Sequence, residues 1–594
     1  MTLKKLEDIS MKYIYLLLIL LIPVFSNGFA QNSDQNYICT RLMLHERDTS
    51  KYIETVQYYD GLGRPFMKVQ KGITPNHSNL VTLQEYDDFG REARSWLPQA
   101  TTSDYLDPVS FKSSVSDFYN GDTRPYTDLV YESSPLNRII QQHTPGDAWS
   151  SHPTFTSYLT NTASGELSCK LYRITSSGAL TQDNIYPPGT LYVTKSIDED
   201  GNVLYVFTDI QERKILTRQM LGAMPHDTYY VYDYFDNKCF VLPPAYQKNP
   251  DLGLYAYQYK YDERNRCIEK KIPGCEPTTY IYDYADHLIF SQDGVQRGQS
   301  EWTFYLYDAF HRLTVKGICK NTNVSVVKKT IVKCTMRENL YDMEISTNLG
   351  SSGYKTNLNL VSPVVHEIDY YDNYSFLSLN AYSGKERFHA PTVNSIGYST
   401  GRIVALFDKE ISYLFSATYY DIKGRPTEVV SDNHTGGYDI KTITYSFTGN
   451  PIKVHYAHTP NGAPRNEEYT YAYDHADRLI KTTHQLAGCL PIVLSEKTYD
   501  NLGRLATKKY HGTIENTSYT YDIRNSLTNI VSRSFGEQLG YTPGGNISRM
   551  DWHSSNNSDI NSYQFAYDGL NRLKKATYQN YWQPRNSLLT SEPD

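Results

Sequence analysis

Along "NEEYTYAYDHADRLIKTTHQ", residues 466–485, side chains alternate. Tyr469, Tyr471 and Tyr473 fall on one face of an extended chain, and Thr470 and Ala472 on the other. A period of two is the pattern of a β-strand. It stops at Asp474, whose carboxylate can accept backbone N–H groups two or three residues further on and open a turn. The fifth residue of the phrase, Asp477 here and Gly or Asn in other copies, is of a type that tolerates positive φ. Arg478 begins the returning strand, and Leu479 points back to the core. The local prediction is a β-hairpin: strand, D-x-x-[GN] turn, strand.

The phrase recurs. Full copies of Tyr-Asp-x-x-Gly-Arg start at Tyr59, Tyr86, Tyr420 and Tyr499. Looser copies start at Tyr232, Tyr261, Tyr282, Tyr307, Tyr473, Tyr521 and Tyr567. A degenerate one starts at Thr208, and worn ones at Tyr445 and Tyr541. A unit of roughly 20 to 30 residues marks a repeat architecture. The expected fold is all-β, with stacked hairpins forming a spiralling sheet or partial shell. The residues expected to hold it are Tyr59, Asp60, Gly63 and Arg64; Tyr86, Asp87, Gly90 and Arg91; Tyr420, Asp421, Gly424 and Arg425. With them go Tyr473, Asp474 and Arg478; Tyr499, Asp500, Gly503 and Arg504; and Tyr567, Asp568 and Arg572. Stacked hairpins would line up Tyr rings and Arg guanidiniums, at about 0.5–2 kcal/mol per cation–π contact. Asp and Arg of one turn would pair. Pro65 and Pro426 sit at strand starts, where Pro is tolerated.

Composition sharpens this. Of 594 residues, 55 are Tyr and only 20 are Phe. Tyr suits half-buried strand surfaces, with an apolar ring and a hydroxyl that stays wet. The net charge of -7 is small for the length and gives no reason to expect nucleic acid or an anionic membrane. Lys4, Lys5 and Lys12 precede the apolar run "YIYLLLILLIPVF", residues 13–25, and Gly28 and Ala30 follow as small-x-small. This reads as a secretory signal peptide cut after Ala30, with Met11 an alternative start. An uncleaved anchor is the other reading, and the run is short for a span. No Cys directly follows it, and no other window is apolar enough to span. The expected location is secreted or cell-surface. The eight cysteines form no C-x-x-C pair. They read as scattered small hydrophobes of a β core, with a Cys267–Cys275 disulfide the alternative.

The repeated phrase resembles the hallmark of the YD/RHS repeat family. "YYDGLGRPFMKVQKG" with "YDDFGREARSWLP" resembles the N-terminal domain of unknown function on RHS-type proteins of Bacteroidetes. Further stretches, including residues 131–149, 229–244, 261–297, 370–377 and 544–552, resemble those same proteins. The resemblance covers residues 40–580. It implies a long β-ribbon spiralling into a hollow shell, closed in full-length members by a core segment and followed by a variable C-terminal domain, often a toxin. The core phrase, D-x-x-G-R-F/Y beside a Tyr-Gly-Ala-Arg-x-Tyr-Asp stretch, is absent. The chain therefore looks like the front portion of such a protein, without residues for self-cleavage or toxin delivery. The organisation expected is 1–30 signal peptide, 31–170 N-terminal β domain, 171–318 repeat array, 319–410 insertion or divergent repeats, and 411–594 repeat array. The tail from Trp582 is expected to fray.

No enzyme motif of the nucleophile-elbow, zincin, P-loop or dinucleotide type occurs, so no catalytic residue, cofactor or metal is expected. Asp198, Glu199 and Asp200 read as a polar turn rather than a carboxylate pair. His77 stands alone in a loop. His143 and His152 flank Trp149 in what reads as a surface loop, with a ligand site the alternative. One Asp per turn does not converge enough oxygens for calcium. Helix signals are weak. Three functions remain: a secreted non-enzymatic scaffold that encloses cargo or mediates cell contact, a surface glycan-binding module using exposed Tyr and Trp, and, last, a hydrolase with an unrecognised site. Expected partners are a protein, either the missing core and cargo or another copy through an open sheet edge, and possible carbohydrate. No integral membrane span is expected after signal cleavage.

Overall fold

A computed structural model describes residues 35–336, 347–349, 352–391, 393–407, 411–460, 464–512, 515–554 and 559–582. The proposed signal segment, residues 1–30, and residues 583–594 lie outside them. Trp582 itself ends the strand Leu573–Trp582, its backbone paired with Asp559.

Thirty-six strands join one sheet. Hairpin follows hairpin, and each pairing is antiparallel: Tyr52–Tyr59 with Pro65–Lys71, Tyr257–Tyr261 with Cys267–Lys271, and Arg465–Tyr473 with Leu479–Leu486. The sheet is open. Asn36–Met43 at one end pairs with Tyr52–Tyr59, and Leu573–Trp582 at the other with Asp559–Tyr567. Because strands alternate direction, the motif turns line one border of this ribbon and most other connections line the opposite border.

Three excursions leave the ribbon and cover one of its faces. The helix Pro108–Phe118 buries Phe111 and Val115 against Val56, Tyr58, Met67, Val69, Val81 and Leu83. Its start was legible in principle: Asp107 caps it, accepting the N–H groups of Val109 and Ser110 at 3.0 and 3.1 Å, and Pro108 follows. The hairpin Lys170–Ile174 with Leu180–Ile185 covers a second core around Tyr205, Phe207, Tyr229 and Val231. Residues 320–336, 347–349 and 352–363 come in from the opposite border. They cover a third core that includes Ile281, Phe304, Leu306, Ile368 and Tyr370. This last excursion reaches the motif border, where Val332 N–H donates to the Asp283 carboxylate at 3.0 Å.

All eight cysteines are free thiols. Cys169, Cys239, Cys319 and Cys334 are buried, but Cys39, Cys275 and Cys489 are exposed. Reading all eight as core residues is therefore corrected: Cys39 lies on the end strand Asn36–Met43, and Cys275 and Cys489 lie in connections between strands. Among the described residues no helix is long and apolar enough to cross a membrane.

Candidate functional site

The turn motif builds one geometry many times. In the first copy Asp60 N–H donates to the Arg64 carbonyl at 2.9 Å, and Gly63 N–H donates to the Asp60 carbonyl at 3.0 Å. One carboxylate oxygen of Asp60 accepts the N–H groups of Leu62 and Arg64, both at 2.9 Å. The other takes Arg64 Nε at 2.8 Å. Asp87 with Arg91, Asp421 with Arg425, Asp474 with Arg478, Asp500 with Arg504, and Asp568 with Arg572 repeat it. The N–H groups captured lie two and four residues on, not two and three. The N–H three on is committed to the Asp carbonyl, and the left-handed fifth residue (Gly63 at φ 79°, Asp477 at 63°, Asn571 at 54°) turns the sixth inward. The register slips there, so that Tyr59 faces Pro65 across the hairpin.

These bonds hold the carboxyls of Asp60, Asp87, Asp421, Asp474 and Asp568 below their ordinary range. The Arg64 backbone N–H holds the Asp60 carboxyl below its ordinary range, with burial opposing and the guanidinium assisting. The Arg572 side chain brings Asp568 down to about 2.

Between hairpins, each turn is zipped to the next. Arg64 lies over the Tyr86 ring, Arg91 over Tyr131, Arg425 over Tyr445, Arg478 over Tyr499 and Arg504 over Tyr521, at 4.3–5.2 Å from the ring centres. The hydroxyl of each tyrosine donates to the carbonyl just after the preceding turn. Tyr86 reaches Pro65 at 2.9 Å, Tyr473 reaches Pro451 at 2.8 Å, Tyr499 reaches Leu479 at 2.7 Å, and Tyr567 reaches Ile547 at 2.8 Å. Tyr420 donates to the Ser399 carbonyl. The hydroxyl is why the motif uses Tyr rather than Phe: it satisfies a carbonyl that the register slip leaves outside the ladder. Other copies lack the Arg, with Asn237 or Ser526 in its place, and one brings two histidines together. His287 replaces the Arg, stacks on Tyr307 at 4.8 Å, and its Nε2 meets His311 Nδ1 at 2.6 Å.

The ribbon also meets itself. Motif turns of residues 474–571 dock on the opposite border of residues 74–220, one coil earlier. His475 Nε2 lies 3.0 Å from the Thr74 carbonyl, and its ring stacks at 3.9 Å on His77. Leu502, Arg504 and Ile523 meet Leu97, Pro98 and Tyr119 around a cavity of about 430 Å³. Arg524 lies over Trp149 at 5.2 Å and pairs with Glu199 at 3.4 Å. Asp200 accepts Thr542 O–H at 2.9 Å and Gly544 N–H at 3.1 Å. Gln219 donates to the Gly569 carbonyl at 2.8 Å, and Asn202 to Asn571 at 3.4 Å. Two glycines permit this approach. A Cβ on Gly544 would stand 2.4 Å from Asp200 Oδ2, and one on Gly569 would stand 2.7 Å from the Met220 carbonyl.

Several sequence readings change here. His77 is not alone; its partner is 398 positions away. The Trp149 loop is not a free surface, because it receives Arg524, and His152 Nδ1 lies 3.2 Å from the Glu199 carbonyl. Asp198 builds the same turn as the motif, accepting the N–H groups of Asp200 and Asn202, with Ile197 where the tyrosine usually stands. It escaped the motif search for that reason. Glu132 with Arg138 is a further copy whose turn is two residues longer. Its Tyr131 donates to Glu92 like any other rung. Asn433 takes the Asp role without charge. Among the described residues, no group of three metal-ligating side chains converges.

The comparisons agree with this architecture. A domain of unknown function, DUF6443, matches residues 36–161. No curated protein matches the chain. The crystal structure of TcdB2-TccC3 superposes with a TM-score of 0.59 at 14% identity, covering 91% of this chain and 24% of that one. TcdB2-TccC3-Cdc42 gives 0.57 at 15% identity, covering 94% and 25%. TcdB2-TccC3 without its hypervariable C-terminal region gives 0.56 at 13%, covering 95% and 27%. The likeness is one of fold. The chain spans about a quarter of the length of those structures.

Proposed function

We propose that the chain is a non-enzymatic structural scaffold of the RHS/YD-repeat type, the front coil of an exported shell that encloses a protein cargo or mediates cell contact. The observation that carries this reading is the seam. A ribbon whose later turns lock onto its own earlier border makes a wall, and the locking residues are spent on wall-building rather than on chemistry. Similarity to TcdB2-TccC3 supports a scaffold-type role, and the match to DUF6443 brings no catalytic assignment with it. Protein partners follow from the same similarity: the matching part is about a quarter of a larger assembly. The proposed signal segment supports export.

The carbohydrate alternative draws no support from the described tryptophans. Trp96 donates to Glu85, Trp149 lies under Arg524, Trp302 packs near Phe290, and Trp552 stacks on Tyr563. None of these four is exposed.

Electron microscopy of the purified chain tests the scaffold. A curved wall about one to one and a half coils long supports it. A flat or collapsed particle refutes it. Glycan-array binding that survives loss of the seam would favour the alternative.

A further inference from the structure

A further tie joins successive turns. The last side chain of a turn donates to the left-handed residue of the next. Arg91 Nη1 reaches Asn137 at 3.1 Å, Arg266 Nη1 reaches Asp286 at 2.8 Å, Asn450 Nδ2 reaches Asp477 at 2.7 Å, and Arg504 Nη1 reaches Asn525 at 2.9 Å. Guanidinium and amide groups give these bonds at any pH near neutrality. Between turns 283–287 and 308–312 the same tie joins two imidazoles, His287 Nε2 and His311 Nδ1, at 2.6 Å. One ring must supply the hydrogen and the other a lone pair. The tie is therefore made only while one of the two facing nitrogens lacks a proton.

This tie sits where the cover of the third core is anchored. The Asp283 carboxylate is fully buried. It accepts Val332 N–H at 3.0 Å and has His287 Nδ1 at 3.4 Å from the same oxygen. Tyr284 N–H donates to the Thr330 carbonyl at 2.9 Å. Val327 and Val332 then enter the core. Among the described residues, Asp283 has no ion-pair partner but His287. The other charges around the pair are committed or exposed. Arg264 and Arg266 hold Asp286, and Arg312 holds Asp308 and Asp372. On the cover, Lys328, Lys329 and Lys333 are exposed.

We propose that His287 and His311 form a proton-operated latch on this part of the ribbon. While the pair keeps one lone pair between the rings, turn 283–287 stays tied to turn 308–312. When both rings are charged, two cations face each other with no acceptor between them. His311, the exposed member, then swings out. His287 is left as a cation beside Asp283, where it competes with Val332 N–H for the shared oxygen. Acid thus loosens the ladder and the cover together. The window is that of imidazole, about pH 5–8, and it lies above the range in which the Asp–Arg turns lose their charge. The latch does not depend on what the wall encloses.

The test is hydrogen exchange of the full chain between pH 8 and pH 5, read as protection factors. Wild type is expected to lose protection at residues 283–287, 308–312 and 327–334 as the pH falls. The loss should reach about tenfold per pH unit, the slope of a step that takes up one proton. Turns 60–64 and 500–504 should not change, because their bonds need no imidazole. His287→Arg with His311→Asn installs the tie that joins Arg504 to Asn525, and should stay protected across the window. His311→Asn alone should also stay protected at pH 5, because a charged His287 can donate to the amide oxygen. The single variant carries the comparison if the double one fails to fold. Equal loss in wild type and variants overturns the latch. So does loss that spreads evenly to turns 60–64 and 500–504, and so does a wild type whose protection is the same at pH 8 and pH 5.

Discussion

The repeats before residue 430 and those after it share a motif but not a surface. In the front half, the residue before the motif tyrosine is apolar and buried at Tyr58, Val231, Ile281, Leu306, Tyr370 and Tyr419, though not at Glu85, Val130 or Lys260. In the back half the same position holds Thr444, Ala472, Thr498, Thr520 and Ala566, all exposed. The difference tracks the excursions. Where a helix or insertion covers the face, the alternation reads apolar on both sides of the sheet. Where nothing covers it, the chain places small and polar residues, and the strands are held by the turn ladder and the seam. One motif thus supports two kinds of wall, one with a core and one without.

Acid should break both at once, and gives the largest effect expected. The carboxyls of Asp60, Asp87, Asp262, Asp421, Asp474 and Asp568 bind protons more weakly in the fold than in the unfolded chain, whose Asp titrates at ~3.9. The unfolded chain therefore takes up more protons below pH ~4. The stabilisation is full above that pH and is lost as pH falls toward about 2, where Asp568 titrates. Circular dichroism across that window should show it, and unchanged spectra at pH 2 would mean that the ladder does not hold the ribbon.

Phe304→Ala should cost on the order of 3–5 kcal/mol, because it opens a cavity in the covered core. Thr498→Ala, on an exposed strand face of the back half, should stay within about 0.5 kcal/mol. Denaturation followed by region-resolved hydrogen exchange separates the two, and equal costs would erase the distinction. Asp474→Ala removes three acceptor contacts and leaves Arg478 without its partner, at a cost on the order of 2–3 kcal/mol. Exchange should rise in residues 465–486 first.

Gly544→Ala should open the seam without unfolding the hairpin, since its new methyl meets Asp200 across the coils. Proteolysis at 198–202 and 542–546 should quicken while the turn at 60–64 is unchanged. Tyr499→Phe keeps the ring under Arg478 and loses the bond to Leu479, at about 1 kcal/mol. Loss no greater than for an exposed tyrosine such as Tyr578 would remove the hydroxyl from the account.

The hairpins and their turns were legible because every bond in them is local. Asp60, Gly63 and Arg64 sit within five residues, and period two places Tyr59 on a known face. Copies were missed where a local signature failed: Ile197 lacks the ring and Glu132 has a longer turn; Asn433 repeats the turn on the opposite border, without the charge. The helix Pro108–Phe118 was missed because its Ser-rich body hid a good Asp-Pro cap and a two-residue apolar stripe.

By itself, then, the sequence determined an all-β chain of stacked hairpins, its turn chemistry and its abundance of tyrosine, since these depend on contacts between near neighbours. The tertiary structure alone decided which faces are covered, that His77 meets His475, and that Asp200 receives Gly544. Those two contacts join residues 398 and 344 positions apart. Such a separation is set by the accumulated twist of dozens of strands, and no single repeat encodes it.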